Sequence, residues 1–281
     1  MTEIGLKIRT LAQLAGGDGW RLGLAHDQVH HTLFWVTRGQ GRMLLDGRRR
    51  GIGPHNAVFV PAGSVYSIDL GAQMLGQAII VPDGSALRLP DMPRHLRVRD
   101  VHVQTELATI IEAAQREQTQ GRALAQDALE AHVALMSVWL RRQIALEEHI
   151  PSPSTAGERL SRRFTQMIPH HYMSGAPMAF YAAELGVTPT HLTRTVKAAT
   201  GKTAADLLTE RVIHAARTLL ETTRHPARNI AHHLGFGSAA YFTRFMQQHT
   251  GRSPSQLRAS SLPKQTGPRT TPAHLIVKAH A

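Results

Sequence analysis

The second half of this chain contains one stretch of sequence twice, and this repeat constrains the fold more than any other feature. When the sequence is shifted by 50 positions, Leu192-Thr193-Arg194 falls on Phe242-Thr243-Arg244, and Thr200-Gly201 falls on Thr250-Gly251. Just upstream the offset is 49, a difference of one residue that a turn tolerates. Because similarity at a fixed period marks a repeated structural unit, this half is expected to hold two copies of one compact motif.

Each copy has the residue order of a helix-turn-helix. In the first copy, the small side chain of Ala182 lets a second helix cross closely, and Gly186 ends the first helix four residues later. Thr188 then supplies the N-cap of the next helix. The second copy repeats this order at Ala231, Gly235 and Ser238.

The segment between the copies, residues 203–222, is predicted to be a helix because its apolar residues recur every three to four positions. Twenty residues at about 1.5 Å each give a rod of about 30 Å. Successive major-groove faces on one side of B-DNA lie about 34 Å apart. The spacing therefore predicts that double-stranded DNA is the partner, with one motif in the major groove of each of two adjacent turns.

The residues predicted to contact DNA lie on the second helix of each copy, away from its apolar positions. An arginine there can make paired hydrogen bonds to a guanine edge, whereas an alanine can touch only a thymine methyl group. The second copy has two alanines at this place, so it is expected to carry less sequence information than the first. The predicted DNA-binding residues are Thr190, Thr193, Arg194, Ala239, Ala240, Thr243, Arg244 and Arg252. Arg252 lies near a helix start and is expected to contact a phosphate.

Residues 158–259 resemble the DNA-binding domain of the AraC/XylS family of transcription regulators. The matching stretches are AAELGVTP at 182–189 with HLTR at 191–194, IAHHLGF at 230–236 with YFTRF at 241–245, and TGRSPSQLR at 250–258. The family commonly has a polar or acidic residue after the second turn, where this chain has Gly237. The resemblance implies a sequence-specific transcription regulator, more commonly an activator, with RNA polymerase as a partner.

The distribution of charge also favours a polyanionic partner. The formal net charge is +12. Residues 1–150 hold 16 Lys/Arg and 15 Asp/Glu, whereas residues 151–281 hold 16 and 5, so almost all of the excess lies in the second half. Because neutralised phosphates release condensed counterions, such a concentrated cation is typical of nucleic-acid binding.

The first half shows short strands separated by turns over residues 26–81. Gly39-Gln40-Gly41 and Pro61-Ala62-Gly63 punctuate the strands, and the pattern resembles a cupin barrel, the sensor domain of many AraC-type regulators. Metal-dependent cupins hold their ion with histidines and a glutamate, but the corresponding positions here are His26, Gln28, Thr32 and Tyr66. With one possible ligand in four, no metal or other cofactor is expected.

The same four positions are the predicted ligand-binding residues, because a few polar groups in an apolar cavity are typical of a small-molecule site. The alternative is that these groups satisfy one another or water inside the barrel. A faint resemblance of residues 32–41 to regulators of aromatic-acid catabolism makes an aromatic acid the expected effector.

Residues 123–148 predict a long helix with apolar side chains on two faces. Leu129, Val133, Met136, Leu140 and Ile144 form one face, and Leu124, Ala128, Leu135 and Trp139 form the other. Because a lone barrel can cover only one of these faces, the other is expected to meet a second subunit, giving a homodimer.

The sequence as a whole predicts a two-domain α+β protein. The predicted segments are a cupin-like ligand-sensing barrel (1–100), a helical dimerisation segment (101–149), a linker (150–157), an all-α double helix-turn-helix (158–260) and a disordered tail (261–281). The amino terminus does not resemble a secretion signal, no apolar run is long enough for a membrane span and cysteine is absent, so a cytoplasmic location without a membrane partner is expected.

Two alternatives to a ligand-controlled regulator stay open at this point. One is a metal-dependent cupin isomerase or dioxygenase fused to a DNA-targeting domain, which the missing metal set disfavours. The other is an architectural DNA-binding protein that responds to no ligand. No catalytic residue is predicted, and the chain is expected not to be an enzyme.

Overall fold

The computed structural model describes residues 5–146 and 154–261, a sheet-rich half followed by a helical half, as expected for an α+β chain. The strands are β1 (Lys7–Thr10), β2 (His30–Arg38), β3 (Gly41–Leu45), β4 (Arg48–Ile52), β5 (Asn56–Val60), β6 (Tyr66–Leu70), β7 (Leu75–Pro82) and β8 (Arg94–Arg97). The helices are α1 (Leu11–Ala15), α2 (Trp20–Gly23), α3 (Val101–Gln120), α4 (Ala125–Ala145), α5 (Ala156–His171), α6 (Met178–Glu184), α7 (Pro189–Thr200), α8 (Ala204–Thr222), α9 (Ala227–His233), α10 (Ala239–Thr250) and α11 (Pro254–Ser261).

The strands form two antiparallel sheets, and a closed barrel is not shown. The larger sheet has the strand order β1-β7-β2-β5-β8, and the smaller has the order β4-β3-β6. Between the sheets lies an apolar layer that includes Phe34, Met43 and Ile68. Within the described ranges, β4 and β8 are edge strands that do not pair with each other. The cupin-like barrel predicted from the turns therefore stays unconfirmed, because the pairing that would close this side is missing.

Strand β2 shows how both faces of the larger sheet are used. Leu33 and Trp35 belong to the core beneath α3 and α4, whereas Phe34 and Val36 belong to the layer between the sheets. Successive side chains of a strand point to opposite faces, and both faces are covered here. A continuous apolar run therefore forms this strand instead of an alternating one.

Helix α4 buries one of its two apolar faces in its own chain. Leu129 and Met136 are 3% and 2% exposed in the core that α3 and α4 share with the larger sheet. Trp139, predicted on the other face, is also buried, and its Nε1 donates a hydrogen bond to the backbone oxygen of Val103 (3.1 Å). The part of the second face that stays exposed to solvent is a smaller apolar surface, in which Leu124 and Leu135 are 75% and 53% exposed.

Helix α5 begins at Ala156, two residues before the predicted start of the helical domain. Thr155 caps it, since its Oγ1 accepts from Glu158 N (3.2 Å) while the Glu158 carboxylate accepts from Thr155 N (2.9 Å). Residues 147–153, which include part of the predicted linker, lie outside the described residues, as do residues 262–281 of the predicted tail.

The repeated sequence forms two helix-turn-helix pairs. The first pair is α6 and α7, the second is α9 and α10, and α8 joins them. Helix α8 has 19 residues, which at about 1.5 Å each gives a rod of about 28 Å. Within the described ranges no helix is long and apolar enough to cross a membrane.

The two halves of the chain are packed against each other, a contact that the sequence did not predict. Leu44 and Val65 of the first half belong to the same apolar cluster as Phe164 of α5. Gly47, at a φ of +67°, lies so close to α5 that a Cβ added there would stand 2.6 Å from Arg162 N. Only a glycine fits the positive φ and this approach of two backbones.

Candidate DNA-binding surface and effector cavity

Helix α7 displays its predicted DNA-binding residues because its other side is anchored in the core. Thr188 is the N-cap, and its Oγ1 accepts a hydrogen bond from His191 N (3.2 Å). Leu192 and Val196 are fully buried and fix the rotation of the helix. Of the predicted contact residues, Thr190 and Arg194 are exposed and Thr193 is half-buried.

Helix α10 repeats this arrangement. Ser238 is the N-cap, and its Oγ accepts from Tyr241 N (3.1 Å), while Phe242 and Met246 are fully buried. The predicted residues Ala239, Ala240, Thr243 and Arg244 are all exposed. The Thr243 hydroxyl donates to the backbone oxygen of Ala239 (2.9 Å), so its hydrogen atom is already used within the helix.

Tyr241 is a surface residue of α10 that the sequence reasoning did not select. Its side chain is 54% exposed, and its ring lies 5.7 Å from that of Phe236, measured between centroids. Residues three apart on a helix are neighbours, so Tyr241 lies beside Arg244. The sequence could have predicted Tyr241 as a surface residue, because a residue three positions before Arg244 falls on the same exposed face of the helix.

Arg252 is an exposed cation two residues before the start of α11. The equivalent residue of the first copy, Lys202, holds the Glu210 carboxylate with a 2.5 Å distance from Nζ to Oε1. Arg252 makes no ion pair with any residue in the described part of the chain. Its guanidinium therefore stays available for a phosphate.

Comparison with known proteins agrees with this geometry. Residues 181–260 match the family model of a helix-turn-helix domain. The arabinose operon regulatory protein of Escherichia coli (strain K12) is 29% identical over 159 residues, which make up 56% of this chain and 51% of that protein. Its counterpart in Salmonella typhimurium is 27% identical over 161 residues, 57% of this chain and 54% of that protein. The chain is therefore similar to arabinose operon regulatory proteins and contains a match to a helix-turn-helix domain family.

The chain spans about half the length of the curated relatives that it matches. Among solved structures, ToxT from Vibrio cholerae O395 aligns with 91% of this chain and 97% of its own, with a TM-score of 0.43 and 12% identity.

A cavity in the described part of the chain brings together three of the four predicted ligand-binding residues. Gln28, Thr32 and Tyr66 line a space of about 270 Å³, close to the lower end of the range for small-molecule pockets. His214 and Thr218 of α8 line the same cavity. The space therefore lies between the sheets and the helix that joins the two helix-turn-helix pairs.

His26, the fourth predicted residue, lies beside this cavity and not on its lining. Its ring stacks on that of His214 with 4.0 Å between centroids and lies 4.4 Å from the ring of Tyr66. His26 Nδ1 lies 2.7 Å from the backbone oxygen of Leu24, while its buried Nε2 has no partner among the described residues. Burial lowers the pKa of His26 to about 4 and that of His214 to about 2, so both rings are neutral at pH 7.

Ion pairs join the two halves on either side of this histidine pair. Arg217 Nη2 lies 2.5 Å from Asp18 Oδ2, and the guanidinium of Arg211 pairs with the carboxylate of Asp27. The partners are separated by 199 and 184 positions in the sequence. No local period relates residues so far apart, so the sequence could not predict that α8 would close the predicted pocket.

Proposed function

We propose that this chain is a sequence-specific DNA-binding transcription regulator whose DNA binding is controlled by a small molecule. The observation that carries the proposal is the pair of exposed helices, α7 and α10, held at the two ends of the buried helix α8. The excess of cations in this half of the chain supports it, because a basic surface favours a polyanionic partner. Each of the two helices enters the major groove of one of two adjacent turns.

The effector occupies the cavity lined by Gln28, Thr32 and Tyr66. These side chains offer an amide, a hydroxyl and a phenol, and burial raises the pKa of Tyr66, so its hydroxyl remains protonated. Donors of this kind suit the carboxylate of a small aromatic acid, whose ring would contact apolar neighbours such as Ile80. Because His214 and Thr218 belong to α8, an occupant also touches the element that spaces the DNA-reading helices.

The finer parts of the proposal rest on the family resemblance. The sheet-rich half acts as a sensor of the cupin-like kind, and regulation takes the form of activation through RNA polymerase. The chain works in the cytoplasm as a homodimer, for which the exposed side of α4, with Leu124 and Leu135, offers an apolar surface.

An enzymatic function is less well supported. The positions that a metal-dependent cupin would use hold His26, Gln28, Thr32 and Tyr66, of which only the histidine is a usual ligand. Within residues 5–146 and 154–261, no group of three or more histidine, aspartate or glutamate side chains is placed to hold a metal ion.

The experiment that tests this function is selection of bound sequences from random duplexes by the full-length chain. We expect one enriched motif, and we expect Arg194→Ala to reduce its enrichment and to relax the preference at one base pair. The matched control is Arg163→Ala, which removes an exposed arginine of α5, outside both helix-turn-helix pairs. If no motif is enriched, or if both variants lose enrichment equally, the chain does not read sequence through α7.

A further inference from the structure

A second cavity lies on the open side of the two sheets, between the edge strands β4 and β8. It has a volume of about 860 Å³, and it shares no lining residue with the effector cavity. Arg162, in the second turn of α5, and Ser154, two residues before that helix, close part of it. It is therefore a separate space to which both halves of the chain contribute.

The lining of this cavity is strongly cationic. Its charged side chains are one aspartate and five arginines, namely Asp46, Arg48, Arg50, Arg94, Arg97 and Arg162. Two of the arginines have an acidic partner, since Arg162 lies 2.7 Å from Asp46 and Arg48 lies 2.6 Å from Glu158. The remaining three give the cavity an excess of positive charge that no described residue balances through an ion pair.

Strand geometry explains why the arginines collect here. Arg48 and Arg50 are two positions apart on β4, so their side chains point to the same face, while Arg49 points to the other. Arg49 instead contacts the helical half, where its guanidinium would lie 3.2 Å from a Cβ added at Gly201. Alternation along one edge strand thus separates two cavity arginines from a third that serves the contact between the halves.

Two of these guanidinium groups each have one buried nitrogen atom without a hydrogen-bond partner. The Nε atoms of Arg50 and Arg94 are both inaccessible and unpaired within the described ranges. Burial lowers the pKa of Arg50, and the nearby Arg48 lowers it further, while Asp46 opposes the shift. Because an unpaired buried donor of a charged group costs free energy, an anion that pairs with these groups would stabilise the folded chain.

We propose that this cleft is a second ligand site, which binds a small organic polyanion carrying at least two carboxylate or phosphate groups. Guanidinium groups bind both kinds of anion in a bidentate manner, and several of them around one cavity match a ligand with more than one such group. The cavity is lined by arginines of both β4 and β8, so a ligand with two anionic groups can contact both strands. Because Arg162 belongs to α5, occupancy also links the sheets to the DNA-binding half.

The test is calorimetric titration of the full-length chain with citrate and, separately, with pyrophosphate. We expect saturable binding of one anion per chain, weakened about tenfold or more by Arg50→Gln, because a charge-assisted contact is lost. The matched control is Arg49→Gln, which removes the same charge from the other face of β4 and should leave the affinity unchanged. Binding of citrate alone assigns a polycarboxylate, and binding of pyrophosphate alone assigns a phosphate ester.

A second pair of variants keeps the test decisive if Arg50→Gln fails to fold. Arg97 is exposed at the end of β8 and lines the cavity, whereas Arg99 is exposed two residues later and does not. Arg97→Gln should weaken binding and Arg99→Gln should not. The proposal is overturned if neither anion binds, if the cavity and control variants lose affinity equally, or if Arg194→Ala removes binding, which would place the anion on the DNA-binding surface.

Discussion

Arg194 and Arg244 occupy the same place in the two DNA-reading helices, but their neighbours differ. Thr190 lies beside Arg194, one helical turn away, whereas Ala240 lies beside Arg244. Arg194→Ala should therefore weaken binding to the selected site by about 1–3 kcal/mol and relax the preference at one base pair, while a scrambled duplex is little affected. Competition binding with the two duplexes measures this difference, and an equal loss on both would contradict base reading by Arg194.

Arg252 should behave differently, because an exposed cation near a helix start is placed for a phosphate. Arg252→Ala is expected to weaken binding to all duplexes alike and to lower the slope of log K against log salt by about one unit. Arg244→Ala should fall between the effects of Arg194→Ala and Arg252→Ala. Titrations at several salt concentrations distinguish the three, and a change in base preference for Arg252→Ala would show that it reads a base.

The stacked pair of His26 and His214 makes stability depend on pH. Both rings have pKa values below the ordinary value of 6.5, so the unfolded chain binds protons more readily, and stability falls as the pH drops below 6.5. Between pH 7.5 and pH 5 each ring should account for a loss of about 2 kcal/mol. Arg211 and Arg21 oppose protonation of the pair, while Asp27 favours that of His26.

Urea denaturation at the two pH values measures this loss. His214→Gln should reduce the dependence on pH, whereas His225→Gln, which replaces an exposed histidine, should leave it unchanged. A free energy of unfolding that is the same at pH 7.5 and pH 5 would mean that the rings are not buried as a neutral pair.

Helix α4 shows how an apolar pattern on two faces of a helix divides between core and surface. Leu129 and Met136 are buried in the chain's own core, whereas Leu135 is 53% exposed. Leu135→Glu should therefore convert the proposed dimer into a monomer with its stability retained, while Met136→Glu should unfold the chain, because it buries a charge. Sedimentation together with thermal unfolding checks both, and a Leu135→Glu variant that remains a dimer would place the interface elsewhere.

The elements that the sequence predicted well are those whose pattern is local. The caps at Thr188 and Ser238 and the buried positions Leu192 and Phe242 follow from spacing within twelve residues of a single motif, and the structure has them as expected. The barrel was inferred from the pattern of short strands and turns, which does not determine which edge strands pair. The role of α8 as a wall of the effector cavity depends on contacts across nearly 200 positions, such as Arg217 with Asp18. A periodic pattern in the sequence cannot predict contacts between residues so far apart.

The contact between the two halves of the chain determines whether the DNA-binding half folds independently of the first half. A fragment of residues 154–261 keeps the Thr155–Glu158 cap and both helix-turn-helix cores, so it should fold and bind DNA. It should be less stable than that half within the full chain, because Phe164 and its neighbours lose the packing of Leu44 and Val65. Circular dichroism and DNA binding of the fragment test this, and an unfolded fragment would show that the two halves form one cooperative unit.

A single chain reads two adjacent turns of DNA if α8 holds α7 and α10 about one helical repeat apart. Binding to the selected site after about 5 base pairs, half a turn, are inserted between its two parts tests this spacing. The second helix would then face the opposite side of the duplex, so affinity should fall to that of a site in which one part is scrambled. An affinity unchanged by the insertion would contradict this arrangement, because it would mean that only one of the two helices contacts DNA.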